Sequence, residues 1–386
     1  MEKFASWFCL KKRSNFTIDP QINTEDSQYY FGREDIKNQL QKQIRRSFIA
    51  PGIPKIMVWG PYGSGKTQTL FYLKHFLCTQ TPSSAKGIPH TLYLTVEMKD
   101  NSTAVNLHMQ LMEALGKDIV SSWVRNLFDS NKDFDAILLN IAEEQNIFKA
   151  LKELRATGES TFTAWRWLTG QTLAAKDLSG LQITRNLGEL GSGDLVTALV
   201  AIGNLATAVG ESIVFLIDEM EQLLNVKSGN SAESIQRYIR KLADPANSSV
   251  GFLIGFKADV IDDAPEILRR GDIYSRIGAS NYLDIPPLPA VADVQSFIRE
   301  LLKNLTDEDS VNAKIASSGI DTEHGIFPFD RSAIELLADY ATQDPTRALP
   351  RYIITAINEC AIQTWDEEKQ LIDESIVNDV APHVFQ

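Results

Sequence analysis

The chain has 386 residues, of which 44% are hydrophobic and 23% charged, and its formal net charge is −12. This length and composition predict a globular protein with one large domain and one smaller domain. The acidic balance argues against a protein that coats nucleic acid, although it leaves room for a local basic patch. The three cysteines are widely separated, which excludes a disulfide framework and favours a reducing cytoplasm. No apolar run is long enough to cross a bilayer, so no membrane partner is expected.

Residues 1–29 are predicted to form an N-terminal arm outside the folded domains. Phe4, Trp7 and Phe8 lie in a short apolar stretch, and the basic group Lys11–Arg13 follows it. The stretch is too short for a signal peptide, and its basic residues lie on the wrong side. Two interpretations remain open: a loose terminus, and an aromatic peptide that docks on a neighbouring subunit or a partner.

Short apolar runs alternate with helical patterns over residues 30–288. Buried strands are predicted at 55–60, 91–96, 213–217, 250–256 and 282–285. Helices are predicted at 66–76, 104–115, 195–209 and 232–243. This alternation is typical of an α/β domain whose parallel sheet is covered by helices on both faces.

Two further regions are predicted to be helical. The stretch 118–195 is a helical insert in the α/β domain. From residue 289 to residue 386 only helical patterns follow, which predicts a separate all-helical domain. Its helices are expected at 291–305, 330–342, 346–364 and from 373 onward.

Residues 60–67 fit the phosphate-binding pattern G-x-x-x-x-G-K-[ST] in full, between a predicted strand and a predicted helix. Glycines let the backbone N–H groups turn toward phosphate oxygens, and the helix N-terminus adds partial positive charge. Lys66 is predicted to contact the β- and γ-phosphates, and the Thr67 hydroxyl to bind Mg²⁺. ATP and Mg²⁺ are therefore the expected ligands, and the phosphates are expected to lie within the loop Gly60, Pro61, Tyr62, Gly63, Ser64 and Gly65.

The acid pair Asp218 and Glu219 follows the apolar run at 213–217. In a P-loop fold an acid at the carboxyl end of such a strand is expected across from the phosphates. Asp218 is predicted to hold Mg²⁺, mostly through water, and Glu219 to polarise the attacking water as a general base. The two motifs together predict hydrolysis of ATP to ADP and phosphate. Glu221 and Gln222, which follow, are assigned no role.

With these motifs the chain resembles an AAA+ ATPase over about residues 30–386. Tyr30-Phe31-Gly32-Arg33-Glu34 is similar to the family's N-terminal motif, which implies that Phe31 and Gly32 pack near the adenine. Arg269–Gly278 resembles the segment that carries the arginine finger, and the resemblance implies this role for Arg276 in a neighbour's site. A surface arginine at a helix end is the alternative. Such a finger implies a head-to-tail homo-oligomer, either a ring or a spiral.

Asp344–Arg351 resembles the second sensor motif at the start of a lid helix. The resemblance implies that Arg347 contacts the γ-phosphate, with Arg351, one turn further on the same face, as the alternative. A helix-start salt bridge is the structural interpretation. At the end of the strand before the finger segment the family usually has a polar residue, often Asn, where this chain has Lys257. This departure implies hydrolysis that is slow or that depends on a partner.

Within the AAA+ proteins, the order of parts is most similar to the origin-recognition initiator branch, which includes prokaryotic phage-defence and transposition-regulator ATPases. The chain is expected to lack a winged-helix DNA reader, because it ends just after the lid. Trp165–Gly170 in the insert is similar to an element of BREX-type defence ATPases, and helix packing is the alternative interpretation.

These features support two hypotheses about function. The first is an ATP-driven oligomeric switch that acts on DNA, on a partner effector protein or on both, in anti-phage defence. Loops near Lys99, Arg155 and Lys176 are the candidate DNA contacts. The second is a nucleotide-gated scaffold that recruits a partner protein and hydrolyses slowly. A metabolic P-loop kinase fits less well, because the finger and lid motifs have no place in it.

Overall fold

The computed structural model of the protein describes residues 2–49, 53–80, 89–227 and 229–385. Within them all five predicted strands are present: β1 Lys55–Gly60, β2 Pro89–Thr95, β3 Ser212–Asp218, β4 Val250–Lys257 and β5 Tyr282–Asp284. They form one sheet in the order β2-β3-β4-β1-β5, with parallel pairing between β1 and β5 and on both sides of β3. The predicted α/β fold class is confirmed.

The helices of the first half are α1 Glu2–Trp7, α2 Glu34–Ile49, α3 Lys66–Gln80, α4 Ala104–Leu115, α5 Lys117–Ser130, α6 Phe134–Ala142, α7 Gln145–Glu153, α8 Glu159–Leu168, α9 Ala175–Gly180, α10 Leu187–Leu190 and α11 Ser192–Ala208. Those of the second half are α12 Gly229–Ala243, α13 Glu266–Arg269, α14 Gly271–Ile277, α15 Val291–Leu305, α16 Glu308–Ser318, α17 Arg331–Gln343, α18 Pro350–Asp366 and α19 Glu374–Phe385. Short 3₁₀ helices lie at Thr24–Gln28, Met220–Asn225, Ile261–Asp263 and Ala279–Asn281. In the part of the chain that the structure describes, no helix combines the length and the apolar character that a membrane span requires.

Strand β3 is the most deeply buried element of the sheet. All seven of its residues are buried, as its uninterrupted apolar sequence predicts for a strand with neighbours on both sides. It pairs with β2, where Thr95 lies beside Asp218, and with β4, where Ile217 lies beside Ile254. Because parallel strands end at the same edge of a sheet, Thr95, Asp218 and Lys257 mark one edge.

The chain divides into two compact units. The first contains residues 1–40, 60–72 and 285–386, and the second contains residues 41–59 and 73–284. The first unit therefore holds the P-loop and helices α15–α19, and the second holds the sheet strands, the insert and the finger segment. The domain limits 30–288 and 289–386 stay a prediction.

The insert helices of the second unit share one hydrophobic core with the sheet. Trp165 and Trp167 are both buried in it, and the Trp167 indole N–H donates to the carbonyl oxygen of Arg185 at 2.9 Å. Gly170 has a φ of +84°, and a Cβ there would lie 3.3 Å from the side chain of Leu195. These contacts support the packing interpretation of Trp165–Gly170.

The N-terminal stretch packs within the first unit, so both interpretations of it were wrong. Phe8 and Phe16 are fully buried in a core to which helices α15, α17, α18 and α19 contribute. The rings of Phe4 and Trp7 lie 5.9 Å and 5.1 Å from the ring of Trp365, measured between centroids. Aromatic side chains bury large apolar areas, and here the surface that covers them belongs to the same unit.

Two features of the helical region differ from the prediction. Helix α18 begins at Pro350 rather than at residue 346, because proline suits the first helical position and keeps the residue before it extended. Leu349 accordingly has φ −103° and ψ 139°. Helix α16, with a fully buried Val311, was not predicted.

Candidate nucleotide-binding site

The P-loop joins the end of β1 to the start of α3 and lies in the first unit. Gly63 and Gly65 have φ values of +86° and +96°, a region that favours glycine. Among the described residues other than its neighbours in the chain, no atom lies within 4 Å of where a Gly65 Cβ would stand, so backbone conformation rather than crowding requires glycine there. The loop therefore has the backbone that a phosphate-binding turn needs.

Lys66 is the first residue of α3, and its side chain is largely buried. Its ammonium group donates to the carbonyl oxygens of Gly60 and Pro61 at 3.0 and 2.8 Å. The Lys66 ammonium is thus held at the beginning of the loop, where a bound phosphate can accept a hydrogen bond from it. Thr67 follows it in the first turn of α3.

Arg33 contacts the loop from the motif that precedes α2. Its guanidinium donates to the carbonyl oxygen of Ser64 at 2.6 Å and to that of Pro286, and its side chain is buried. The guanidinium thereby supplies a donor to one carbonyl group of the loop and to one of the chain after β5. Sequence reasoning quoted Arg33 within its motif but assigned it no role.

Phe31 and Gly32, the predicted adenine neighbours, pack on helices of the first unit. The Phe31 ring stacks on Tyr29, with 5.3 Å between centroids. Gly32 has a φ of +66°, and a Cβ there would approach the Phe297 Cβ to 2.8 Å. Both the conformation and the close approach to α15 thus require glycine, whereas the proposed adenine contact stays a prediction.

Helix α3 is also tied to the N-terminal stretch. The side-chain amide of Gln68 donates to the carbonyl oxygens of Asp26 and Tyr29 at 2.7 and 2.6 Å. Thr69 lies 3.3 Å from the hydroxyl of Tyr30, whose burial raises the pKa of that phenol. The first turns of α3 are therefore fixed by residues that precede the α/β region in sequence.

The two candidate sensor arginines are placed differently. Arg347 lies in the turn before α18, where it pairs with Asp344 at 3.9 Å. Arg351 lies on α18 itself, and its guanidinium carbon stands 4.5 Å from the centre of the Tyr62 ring. The expectation that both arginines share one helix face was wrong, because the helix begins between them. Arg351 is the one that contacts the P-loop.

The acid pair lies at the end of β3 in the second unit. The Asp218 carboxylate is buried, and its two oxygens accept from the Tyr93 hydroxyl at 3.2 Å and from the Glu219 backbone N–H at 2.9 Å. Burial raises the pKa of the Tyr93 phenol to about 12, so the phenol stays a donor. A buried carboxylate with hydrogen-bonded oxygens has the chemistry of a Mg²⁺ ligand.

Glu219 is exposed and has a left-handed backbone, with φ 57° and ψ 35°. This conformation is costly for a residue with a Cβ and is often found at functional sites. Partial desolvation raises the pKa of its carboxyl group, and the negative charges of Asp218 and Glu221 raise it further. The side chain therefore has the exposure and the increased basicity that suit a general base.

Glu221, which was assigned no role from the sequence, connects the ends of β3 and β4 in the second unit. Its carboxylate accepts from the backbone N–H of Lys257 at 2.8 Å. The Lys257 side chain itself, at the strand end where the AAA+ resemblance implies a polar residue, is exposed.

Arg276 lies in the last turn of α14 and is half-buried. Its guanidinium donates to the carbonyl oxygen of Asp272 at 2.6 Å and lies 3.7 Å from the Asp244 carboxylate. Arg270 and Arg240 lie 3.2 and 3.3 Å from Asp272. The carboxylates therefore orient a group of arginines at the surface of this unit.

The sheet order, the P-loop after β1, the acid pair after β3 and the C-terminal helices define the AAA+ fold. Among solved structures the chain is similar to the ORC2 protein of Aeropyrum pernix in ADPNP and ADP complexes, with 10% identity and a TM-score of 0.51. That alignment covers 91% of this chain and 67% of the other, so this chain spans about two thirds of the ORC2 length.

Two other solved structures show weaker likeness. Cdc6p of Pyrobaculum aerophilum is 13% identical over 91% of this chain and 67% of that one, with a TM-score of 0.47. The RuvB Holliday junction branch migration motor of Thermotoga maritima is 11% identical over 92% and 70%, with a TM-score of 0.40. At 10% identity the ORC2 likeness shows a shared fold alone. No family model and no curated protein matches the chain.

Proposed function

We propose that this chain is a Mg-ATP-dependent ATPase of the origin-recognition-like AAA+ type that acts as a head-to-tail homo-oligomer. The observation that carries the proposal is the P-loop: its left-handed glycines and buried Lys66 lie at the start of α3, within the AAA+ fold. A helix N-terminus with inward backbone N–H groups and one lysine is a site for polyphosphate.

Each site residue has a proposed role. Lys66 binds the β- and γ-phosphates, and the backbone of residues 60–65 surrounds them. Thr67 and Asp218 hold Mg²⁺, which when bound neutralises charge on the phosphate oxygens. Glu219 accepts a proton from the attacking water. Phe31 and Gly32 lie near the adenine.

The lid arginine is proposed to be Arg351, with Arg347 as its neighbour in the preceding turn. The contact between Arg351 and Tyr62 supports this choice, because Arg347 is paired with Asp344 instead. Arg276 is proposed to act in the site of the next subunit. Its support is a half-exposed guanidinium that carboxylate and carbonyl oxygens hold in one orientation.

The proposed cargo is DNA, a partner effector protein or both, and the proposed setting is prokaryotic anti-phage defence. The sequence resemblance to initiator-branch and defence ATPases supports these two statements. Plating phage on cells that carry the native gene or its Glu219→Gln variant tests the setting: protection by the native gene alone supports it, and equal plating refutes it.

ATP turnover measured against protein concentration, with and without double-stranded DNA, tests the biochemical proposal. Glu219→Gln is the blank. Specific activity that increases with concentration supports a site shared between subunits, and a further increase with DNA identifies DNA as a ligand. Activity equal to the blank under every condition refutes the ATPase.

The second candidate is a nucleotide-gated scaffold that recruits a partner and hydrolyses slowly. The exposed Lys257 side chain at the end of β4 favours the scaffold, since a lysine at this position has no side-chain amide to orient water. Glu219→Gln separates the two candidates: a scaffold keeps partner recruitment and release when this carboxylate is lost, whereas an ATPase switch is held in its assembled state.

A further inference from the structure

Tyr62 on the P-loop and Arg351 on α18 form a close pair within the first unit. One guanidinium nitrogen of Arg351 donates to the Tyr62 hydroxyl oxygen, and the guanidinium carbon lies 4.5 Å from the ring centre. The backbone N–H of Arg351 also points to the carbonyl oxygen of Gly63 at 3.4 Å. The arginine is thus bound to the loop at three points.

The stem of Arg351 and its guanidinium are held by different contacts. A Cβ on Gly63 would lie 3.0 Å from the Arg351 Cβ and 3.4 Å from its Cδ, so the stem packs directly on the loop. The Tyr62 side chain is 58% exposed, and Arg351 is also exposed. The guanidinium can therefore exchange its acceptor while the stem stays in place.

The phenol oxygen of Tyr62 is a neutral acceptor, whereas a terminal phosphate offers charged oxygens. Both bonds involve an ionised donor, but an arginine–phosphate pair adds attraction between opposite charges and frequently a second parallel hydrogen bond, neither of which a phenol supplies. A guanidinium within reach of both will leave the phenol for the phosphate. A nucleotide without a γ-phosphate presents no such competing acceptor to the guanidinium.

We propose that Tyr62 is a positioning residue that holds the Arg351 guanidinium at the P-loop until the γ-phosphate of ATP displaces the phenol. The inference rests on the proposed function and adds a device to it. The phenol competes with the γ-phosphate for the guanidinium, and with ADP the Arg351–Tyr62 pair persists. Tyr62 therefore makes the lid arginine respond to the third phosphate rather than to the nucleotide as a whole.

Binding of Mg²⁺ with a non-hydrolysable ATP analogue, and separately with ADP, to the full chain tests the inference. Tyr62→Phe keeps the ring but removes the competing acceptor, so affinity for the analogue should increase about two- to tenfold, the value of one hydrogen bond. Affinity for ADP should be unchanged. In an Arg351→Ala background, Tyr62→Phe should have no effect on either nucleotide.

Tyr340→Phe is the matched control, because it removes a hydroxyl that bonds Asn378 at 2.9 Å elsewhere in the same unit. It should leave both affinities unchanged. The inference is overturned if Tyr62→Phe lowers the affinity for the analogue or changes the affinities for both nucleotides by the same factor. It is also overturned if Tyr62→Phe has the same effect in the Arg351→Ala background. If the unaltered chain binds neither nucleotide, the proposed function fails and the inference fails with it, which is a distinct result.

Discussion

Arg33 donates a hydrogen bond to the carbonyl oxygen of Ser64, with 2.6 Å between the guanidinium nitrogen and that oxygen. The same guanidinium donates to the carbonyl oxygen of Pro286, just after β5. One buried cation thus connects the motif before α2, the P-loop and the start of the helical region, all within the first unit. The planar guanidinium makes these two bonds from two different nitrogens, whereas an ammonium presents all its donors on one nitrogen.

Arg33→Ala is expected to lower the free energy of unfolding by about 1–3 kcal/mol, because it leaves two carbonyl oxygens without their donor. Nucleotide affinity should decrease as well, since the loop loses its support. Arg33→Lys should restore only part of both quantities. Chemical denaturation and nucleotide titration measure them.

Arg331→Ala provides the control for this change. Arg331 is an exposed arginine of the same unit that lies 3.9 Å from the Glu323 carboxylate. Its loss should change the free energy of unfolding by no more than about 0.5 kcal/mol. Equal effects at the two positions would refute the supporting role of Arg33.

The acid limb of the pH–rate profile provides a second prediction. The pKa of Glu219 is raised by partial desolvation and by the charges of Asp218 and Glu221, so its basic form is lost at a higher pH than for an ordinary glutamate. Glu221→Gln removes one of these charges, which lowers the pKa of Glu219. The acid limb of kcat/KM for ATP should therefore move to lower pH.

The glutamine in this variant can still accept from the Lys257 N–H, so the junction of β3 and β4 is kept. Glu233→Gln, which removes an exposed carboxylate paired with Arg237, should leave the limb in place. A limb that stays fixed or moves to higher pH in Glu221→Gln would show that Glu219 is not the group titrated.

The sheet and the glycine-containing turn between β1 and α3 could be predicted from the sequence, because the signals are local. A short, largely β-branched and aromatic apolar run such as 213–217 is typical of a buried strand, and the eight residues 60–67 contain their own turn chemistry. The position of Arg351 could not be derived in this way. It depends on where α18 begins, and Pro350 at its first position was the signal that sequence reasoning did not use.

Helix α16 shows another limit of the periodicity argument. Val311 is the one buried residue between Glu308 and Ser318, so the apolar pattern is weak. The sequence signal for this helix lies at its two ends instead. The Asp307 side chain accepts from the Ser310 N–H at the start, and Gly319 ends the helix in a left-handed conformation. Burial of Phe8 and Phe16 against residues hundreds of positions away has no local signal at all.

The N-terminal stretch is expected to behave as part of the hydrophobic core. Phe8→Ala removes a fully buried ring and should lower the free energy of unfolding by about 3–5 kcal/mol. Phe162→Ala is the matched change at a phenylalanine that is 55% exposed, and it should cost no more than about 0.5 kcal/mol. Denaturant unfolding followed by tryptophan fluorescence compares the two, and equal costs would contradict the packing of this stretch.

The last prediction concerns the proposed action of Arg276 between subunits. Arg276→Ala and Glu219→Gln should each abolish ATP turnover, because one removes the finger and the other removes the base. In a head-to-tail pair, an intact Glu219 of the first variant can meet an intact Arg276 of the second. A one-to-one mixture should therefore recover about a quarter of the native activity, the share of interfaces that contain both groups.

Two controls make the mixing experiment decisive. Arg269→Ala, a change in a more exposed arginine that lies 3.8 Å from Asp262, should retain turnover on its own. A mixture of the Arg276→Ala variant with a double variant that carries both Arg276→Ala and Glu219→Gln should stay inactive, since no subunit then supplies a finger. Recovery in the first mixture alone requires that the two residues act on one nucleotide from different chains. An inactive first mixture, with both variants still assembled, would assign Arg276 to the structure of its own subunit through Asp272 and Asp244.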